Sequence, residues 1–171
     1  MTSSRSSLYD SFALYASGLT LITVRDGSDD QFFVAGSVLT ASVEPFTLAL
    51  SAWKDRFGVP AITRGAPWAV SVLAAGQRHI VHRLTAPGTN AERLDALREA
   101  GAVTSPEGPL WLPDALVTLW CGTHSVTPVH DQLVIVGTVE RGSPHRDGEP
   151  LLRWNRDYRT VTGLRSYQSS R

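Results

Sequence analysis

The 171-residue chain has a single cysteine, Cys121, so it can form no internal disulfide. It also lacks the Cys-x-x-Cys pair of a zinc or redox motif and the His-Glu-x-x-His pattern of a metalloprotease. Net charge is missing too, because 16 basic residues balance 16 acidic ones. A nucleic-acid module or a protein held on an anionic membrane needs a basic face, so both are disfavoured. A local basic cluster remains able to take a phosphate or a nicotinamide dinucleotide. No apolar run approaches the ~20 residues of a membrane helix. Met1–Ser7 is polar, without the apolar stretch of a signal peptide. The expectation is a soluble cytoplasmic protein. No repeat or low-complexity tract stands out. Hydrophobic residues make up 42% and charged ones 19%, a globular balance, and the length suits one domain over 1–171 rather than two.

What is present reads mostly as strand. Leu8, Phe12, Tyr15 and Ala16 recur at helical spacing before Gly18, which predicts a short N-terminal helix. Leu19–Val24 is rich in β-branched residues, Asp26–Asp30 is a turn, and Phe32–Gly36 returns as a hairpin. Thr40–Val43 and Phe46–Trp53 follow, broken by Glu44-Pro45. Val59–Arg64 predicts a short helix ending at Gly65, and Trp68–Leu73 a strand. Gln77–Leu84 reads as a helix with Ile80, Val81 and Leu84 inward. Asn90 is placed as the cap of a helix over Ala91–Ala100. Leu116–Gly122, Leu133–Val139 and Leu151–Trp154 complete the strands, and Ser166–Arg171 reads as a frayed tail. Many short strands without alternating long helices point to an antiparallel barrel or sandwich. Cys121, inside an apolar strand, reads as a small buried hydrophobe rather than a nucleophile.

In order along the chain, several short motifs then resemble one family. They are Tyr15-Ala16-Ser17-Gly18 with the strand after it, and Val34-Ala35-Gly36-Ser37-Val38-Leu39-Thr40-Ala41-Ser42-Val43-Glu44-Pro45. Leu48–Ser51, Pro60, Ser71–Gln77 and Arg83 follow. Cys121, Asp131, Val136–Val139 and Pro150-Leu151-Leu152 with Tyr158 close the series. Each is degenerate alone; their joint order over about residues 10 to 160 resembles the flavin reductase-like family of FMN-binding split barrels. The resemblance implies a mainly β fold, a six-stranded antiparallel Greek-key split barrel with a few peripheral helices. It implies a homodimer with flavin near the subunit interface. It also implies NADH or NADPH as hydride donor and a partner monooxygenase that receives reduced FMN or FAD.

Carried onto this sequence, the resemblance puts Ser37, Thr40, Ala41 and Ser42 around the flavin. Gly36 stands where the family has asparagine, permitting close backbone approach while losing a side-chain donor. Ala52-Trp53-Lys54-Asp55-Arg56-Phe57-Gly58 aligns with the phosphate loop. Its usual hydroxyls are missing at Arg56 and Gly58, and Lys54 and Arg56 offer direct charge instead. Ala52, Trp53, Lys54 and Arg56 are therefore cofactor candidates, although a Lys-Asp-Arg run is more often a solvated turn. Trp53 and Phe57 also suit packing or an interface. Ser71, Gln77 and Arg83 match motif positions and are carried as further cofactor contacts. On the nicotinamide side, His130-Asp131-Gln132 aligns with a family Gly-Asp-His, which makes Gln132 and His130 the catalytic candidates. On a strand they would share a face two residues apart; in a loop His130 is freer to stand in for the lost histidine. Arg153 and Trp154 replace an aromatic and a histidine. Hydride transfer needs no general acid, only a positioned ring with one open face, so the absence of a charged dyad fits. Two other readings stay open: a flavin enzyme of altered chemistry on the same scaffold, and a binding protein without cofactor.

Overall fold

Residues 8–161 are described by the computed structural model. In the strand Thr20–Asp26 (β2), Ile22 and Val24 point one way, Leu21 and Thr23 the other, and all four are buried. A strand buried on both faces must be covered twice, and that requirement organises the molecule. Ile22 and Val24 face a barrel interior, whereas Leu21 faces a layer of helices.

The interior belongs to one seven-stranded antiparallel sheet, one strand more than the family pattern implied. Its remaining strands are β3 (Asp29–Ala35), β4 (Val38–Val43), β5 (Phe46–Trp53), β6 (Trp68–Val72), β9 (Val117–Val129) and β10 (Gln132–Gly142). Their lateral order is β3-β2-β6-β9-β10-β5-β4. The two outermost strands, β3 and β4, are consecutive in the chain and share no ladder. The sheet nevertheless curls until Phe33 and Ala35 of β3 pack in one cluster with Leu48 and Leu50 of β5. The unladdered gap between β3 and β4 is the split of the barrel.

Trp68 fills the interior without exposure, and its indole donates to Thr123 Oγ1, 3.2 Å away. That hydroxyl in turn donates to the Ile62 carbonyl of α1 (Val59–Thr63) at 3.0 Å. A large aromatic fits because Gly137 of β10 lies against it: a Cβ there would overlap the Trp68 ring.

The opposite face of β2, β3 and β6 is covered by α2 (Arg78–Thr85), α3 (Asn90–Glu99) and strands β8 (Leu110–Trp111) and β11 (Leu151–Trp154). The short β1 (Ser17–Gly18) and β12 (Asp157–Thr160) pair on either side of β11, and β7 (Val103–Thr104) pairs with β8.

Several expectations need correction. Thr89, not Asn90, caps α3. Its hydroxyl accepts from Glu92 N at 3.2 Å while Glu92 Oε2 accepts from Thr89 N at 2.7 Å, a reciprocal pair Asn90 is one residue too late to make. The N-terminal helix is a turn over 8–11 followed by a 3₁₀ turn, Phe12–Leu14. Gln77 lies in a 3₁₀ turn ahead of α2 rather than in the helix. The tail Ser166–Arg171 lies outside the described residues.

Two outcomes follow. Gly137→Val is expected to lose at least about 3 kcal/mol, because the Trp68 ring has nowhere to go. At about 2–4 °C per kcal/mol for a chain this size, the melting midpoint falls by roughly 6–12 °C. Gly76→Ala, which meets open space, is the control, and thermal circular dichroism measures both; equal midpoints would disprove the packing argument. Burial first, and then Glu140, push the Cys121 thiol up to about 12. The raised folded value means this contribution to stability is intact below the unfolded pKa of about 8.5 and declines as pH rises above it. Native protein at pH 8 should therefore resist a disulfide-exchange reagent and react once unfolded in guanidinium; rapid native labelling would contradict it.

Candidate functional site

β5 alternates cleanly. Leu48, Leu50 and Ala52 point into the barrel, so Ala49, Ser51 and Trp53 point out. Cross-strand partners share a face, which puts Leu39 beside Ala49, Val136 across from Ala49, Val134 across from Ser51, and Gln132 across from Trp53. One rung beyond the β4 ladder, Ser37 and Ser51 meet. Ser51 N donates to Ser37 O at 3.0 Å, and Ser37 Oγ donates to Ser51 O at 2.5 Å. The hydroxyl proton is thus engaged, and the Ser37 oxygen is left facing out as an acceptor.

Ser37 follows Gly36, the only other residue of the linker that spans the split. A Cβ at Gly36 would stand 2.7 Å from Ser17 Oγ, so the linker passes close to β1 and a side chain there would have to displace that hydroxyl. Ser17 pairs with Arg153 of β11. From the other side comes Arg56, whose Nη2 donates to Val34 O at 2.8 Å and whose guanidinium lies 4.9 Å from the centre of the Phe33 ring. Burial first, and then the charge of Arg153, pull the Arg56 guanidinium below its ordinary value. Two cations therefore approach the Gly36 linker, and neither pairs with a carboxylate among the described residues. Such a pair repels itself and is relieved by an anion.

The β9–β10 turn closes the other end. Lys54 N donates to Asp131 O at 3.2 Å, tying the turn to the segment after β5. His130 occupies this turn, in left-handed conformation with φ 55°, so it is not a strand neighbour of Gln132. It projects from the tip next to Lys54's segment, while Gln132 stands in the ladder beside Trp53.

The structure thus brings Gly36, Ser37, Trp53, Lys54, Arg56, Gln132 and His130 along one continuous surface, from the split to the turn. Thr40, Ala41 and Ser42 lie further along β4. Ala41 is the extra residue of a β-bulge, since Thr40 pairs with Leu48 and Ser42 with Thr47. Ala52 contributes only backbone, because its side chain is inside the barrel.

Three candidates stand apart. Ser71 is fully buried on the helix-covered face of β6, its hydroxyl 2.8 Å from Thr118 Oγ1. Gln77 is buried, its Oε1 accepting from Ala74 N at 2.9 Å to close the 3₁₀ turn. Arg83 joins α2 to α3 through Glu99 at 2.6 Å. Ser51 and Ser17 have no site role in the sequence pattern, and Arg153 enters it only as a replacement on the nicotinamide side. The alternation of β5 marks Ser51 as outward with Trp53, whereas the pairing of β1 with β11, over two residues, has no sequence signal.

These residues fit a flavin mononucleotide. An acceptor oxygen and backbone face out at Ser37, a side-chain-free linker sits beside it, and guanidinium groups without a carboxylate partner among the described residues lie next to that linker.

Residues 12–162 match the Flavin reductase like domain. The NADH:riboflavin 5'-phosphate oxidoreductase of Streptomyces pristinaespiralis is 31% identical over 163 residues, covering 91% of this chain and 88% of that protein. The reductase component of 4-hydroxyphenylacetate 3-monooxygenase from Thermus thermophilus is 26% identical over 152 residues, covering 89% and 93%. In fold, the NADH:FAD oxidoreductase SgcE6 of Streptomyces globisporus, solved with NAD and FAD fragments, aligns with a TM-score of 0.83 at 23% identity, covering 93% of each chain. With the family match spanning nearly every described residue and the barrel repeated in a solved member, the chain belongs to the flavin reductase-like domain family.

Proposed function

We propose that this protein is a single-domain flavin reductase that takes hydride from NADH or NADPH and supplies reduced FMN or FAD to a partner monooxygenase. The observation that carries the reading is the fixed, carboxylate-free guanidinium of Arg56 beside the Gly36-Ser37 linker. A bound flavin would supply the hydride acceptor. Everything else asked of the chain is positioning. Arg56, already oriented by the Val34 carbonyl and the Phe33 ring, holds the phosphate with little further ordering. Lys54 adds a second charge nearby. Ser37, locked by Ser51, presents an oxygen to a ring-edge N–H. Gln132, which offers both a donor and an acceptor but does not titrate, orients the incoming nicotinamide amide. His130 stands beside it at the turn tip.

The same surface supports a homodimer. Leu39, Val43 and Trp53 are 61%, 79% and 59% exposed, and they lie on the side of β4, β5 and β10 opposite the barrel interior or at the sheet edge. A second copy would bury this apolar patch and wall the flavin groove. A cytoplasmic setting, where reduced nicotinamide is available, follows from the same reading.

An absorbance assay tests the activity: protein, FMN or FAD, and NADH or NADPH should consume the reduced-nicotinamide band, and no turnover with any pairing overturns the proposal. If flavin binds tightly yet no nicotinamide reduces it, the alternative of altered chemistry gains, since Gln132 replaces the family histidine. Arg56→Gln should weaken FMN binding by about tenfold or more, the scale of a lost charged hydrogen bond, and leave riboflavin, which has no phosphate, unchanged. Equal loss for both ligands would remove Arg56 from the phosphate. Light scattering should give twice the chain mass, and Trp53→Glu should return it to one.

A further inference from the structure

The β11–β12 hairpin carries three arginines, and only Arg153 is left without an acid. Arg156 pairs with Asp10. Arg159 pairs with Asp157 at 3.2 Å, and the same carboxylate takes Arg78 at 3.5 Å. Arg153 meets no carboxylate among the described residues. Its direction is set by the ladder. Arg153 lies opposite Ser17, and cross-strand partners leave a sheet on the same face. The Ser17 hydroxyl stands against the Gly36 linker, so the Arg153 stem rises beside that linker too. Arg56 is held at the Val34 carbonyl, two residues before Gly36. Its guanidinium is pulled below the ordinary value first by burial and then by the charge of Arg153, which places the two cations within reach of each other. Among the described residues, neither the Gly36 N–H nor the Ser17 hydroxyl has a hydrogen-bond acceptor. Four donor groups thus surround the linker with nothing negative between them.

We propose that Arg153 is a specificity-determining residue: with Arg56 it forms a two-cation seat at the Gly36 linker for a phosphomonoester dianion. A terminal phosphate carries a charge of about −1.5 to −2 at pH 7 and three acceptor oxygens. A phosphate that bridges two groups carries one charge and two free oxygens. Two guanidinium groups without an acid repel each other, and a dianion satisfies both where a monoanion satisfies one. The third oxygen is left for the Gly36 N–H or the Ser17 hydroxyl. FMN ends in such a group, and NADPH carries one on a ribose, whereas every phosphate of FAD and NADH is a bridging one. The family pattern has an aromatic where Arg153 stands, so the second cation belongs to this chain and not to that pattern. The inference rests on the flavin reductase reading, in which Arg56 already holds the flavin phosphate, and it turns that reading into a preference for FMN over FAD.

Two variants of the full chain test it. Arg153→Gln removes the charge and Arg153→Lys keeps it. The residue is exposed, and circular dichroism first confirms that both variants fold. Dissociation constants for FMN, FAD and riboflavin, and KM values for NADPH and NADH, then read the preference. The unaltered chain should bind FMN about tenfold more tightly than FAD, the scale of one charged hydrogen bond. Arg153→Gln should erase that margin by weakening FMN alone, and Arg153→Lys should keep most of it, which a lost packing contact would not do. If Arg153→Gln instead raises the KM for NADPH about tenfold and moves neither NADH nor FMN, the seat stands and holds the ribose phosphate. A loss shared by all five ligands, or no loss for any, overturns the inference. Inorganic phosphate titrated into isotopically labelled protein reads the seat without flavin or nicotinamide. A shift of the Gly36 amide that Arg153→Gln abolishes supports the seat even if reductase activity is absent. No shift at Gly36 rejects it even if activity is present.

Discussion

The reciprocal pair of hydrogen bonds between Ser37 and Ser51 carries the β4–β5 pairing one rung into the linker that crosses the split. β3 and β4 have no ladder between them, so this pair fixes the β4 end of the linker that crosses the split at the height of the β5 outer face. Backbone that leaves a sheet without a partner must find one elsewhere. Here the Ser37 carbonyl finds the next amide of β5, and the Ser37 side chain returns the bond. The remaining geometry follows from that crossing. Gly36 is brought against Ser17, Val34 is left with a carbonyl that Arg56 takes up, and Arg56 is thereby aimed along the linker.

On the proposed reading, that arrangement lets a phosphate loop do without its usual hydroxyls. Serine and threonine bind a phosphate through short neutral bonds from an ordered loop. A guanidinium reaches farther and carries charge, but its long stem costs entropy to fix. In this chain the cost is met before any ligand arrives, because Phe33 supports the guanidinium and the Val34 carbonyl accepts from it. Replacing two hydroxyls by one preset cation is a coherent exchange, and the nearby Arg153 strengthens the pull on an anion while leaving the empty site electrostatically uneasy.

The parts of this fold legible in the sequence are those whose residues decide their own environment. β2, β5 and β6 alternate or run β-branched because their faces are buried, and Ile80, Val81 and Leu84 mark the inner side of α2. Elements made by pairing rather than composition were not legible. β1, β7 and β8 are two residues long and exist only opposite a partner. β9 continues through Thr123–Val129, where exposed polar residues give no core pattern, because β10 offers it a ladder. The site divides the same way. Ser37, Lys54 and Arg56 are legible because they flank strands whose register the core fixes. Ser71, Gln77 and Arg83 match motif positions, yet each side chain has a nearer partner in Thr118, Ala74 N and Glu99, and those partners lie in structure the motif does not describe.

The exchange of histidine for glutamine at position 132 has a physical consequence once the turn geometry is known. Gln132 is held in the ladder by both Trp53 and Val129, so its backbone cannot shift to move the amide. His130 sits outside that constraint, at a left-handed turn position that asparagine or glycine would fill more easily. The imidazole thus stands at a turn tip whose Asp131 carbonyl accepts from Lys54 N, while an amide occupies the ladder position. On the proposed reading hydride transfer, which requires no proton at the nicotinamide, loses little by the exchange, because an amide held by two neighbouring strands can still orient the ring.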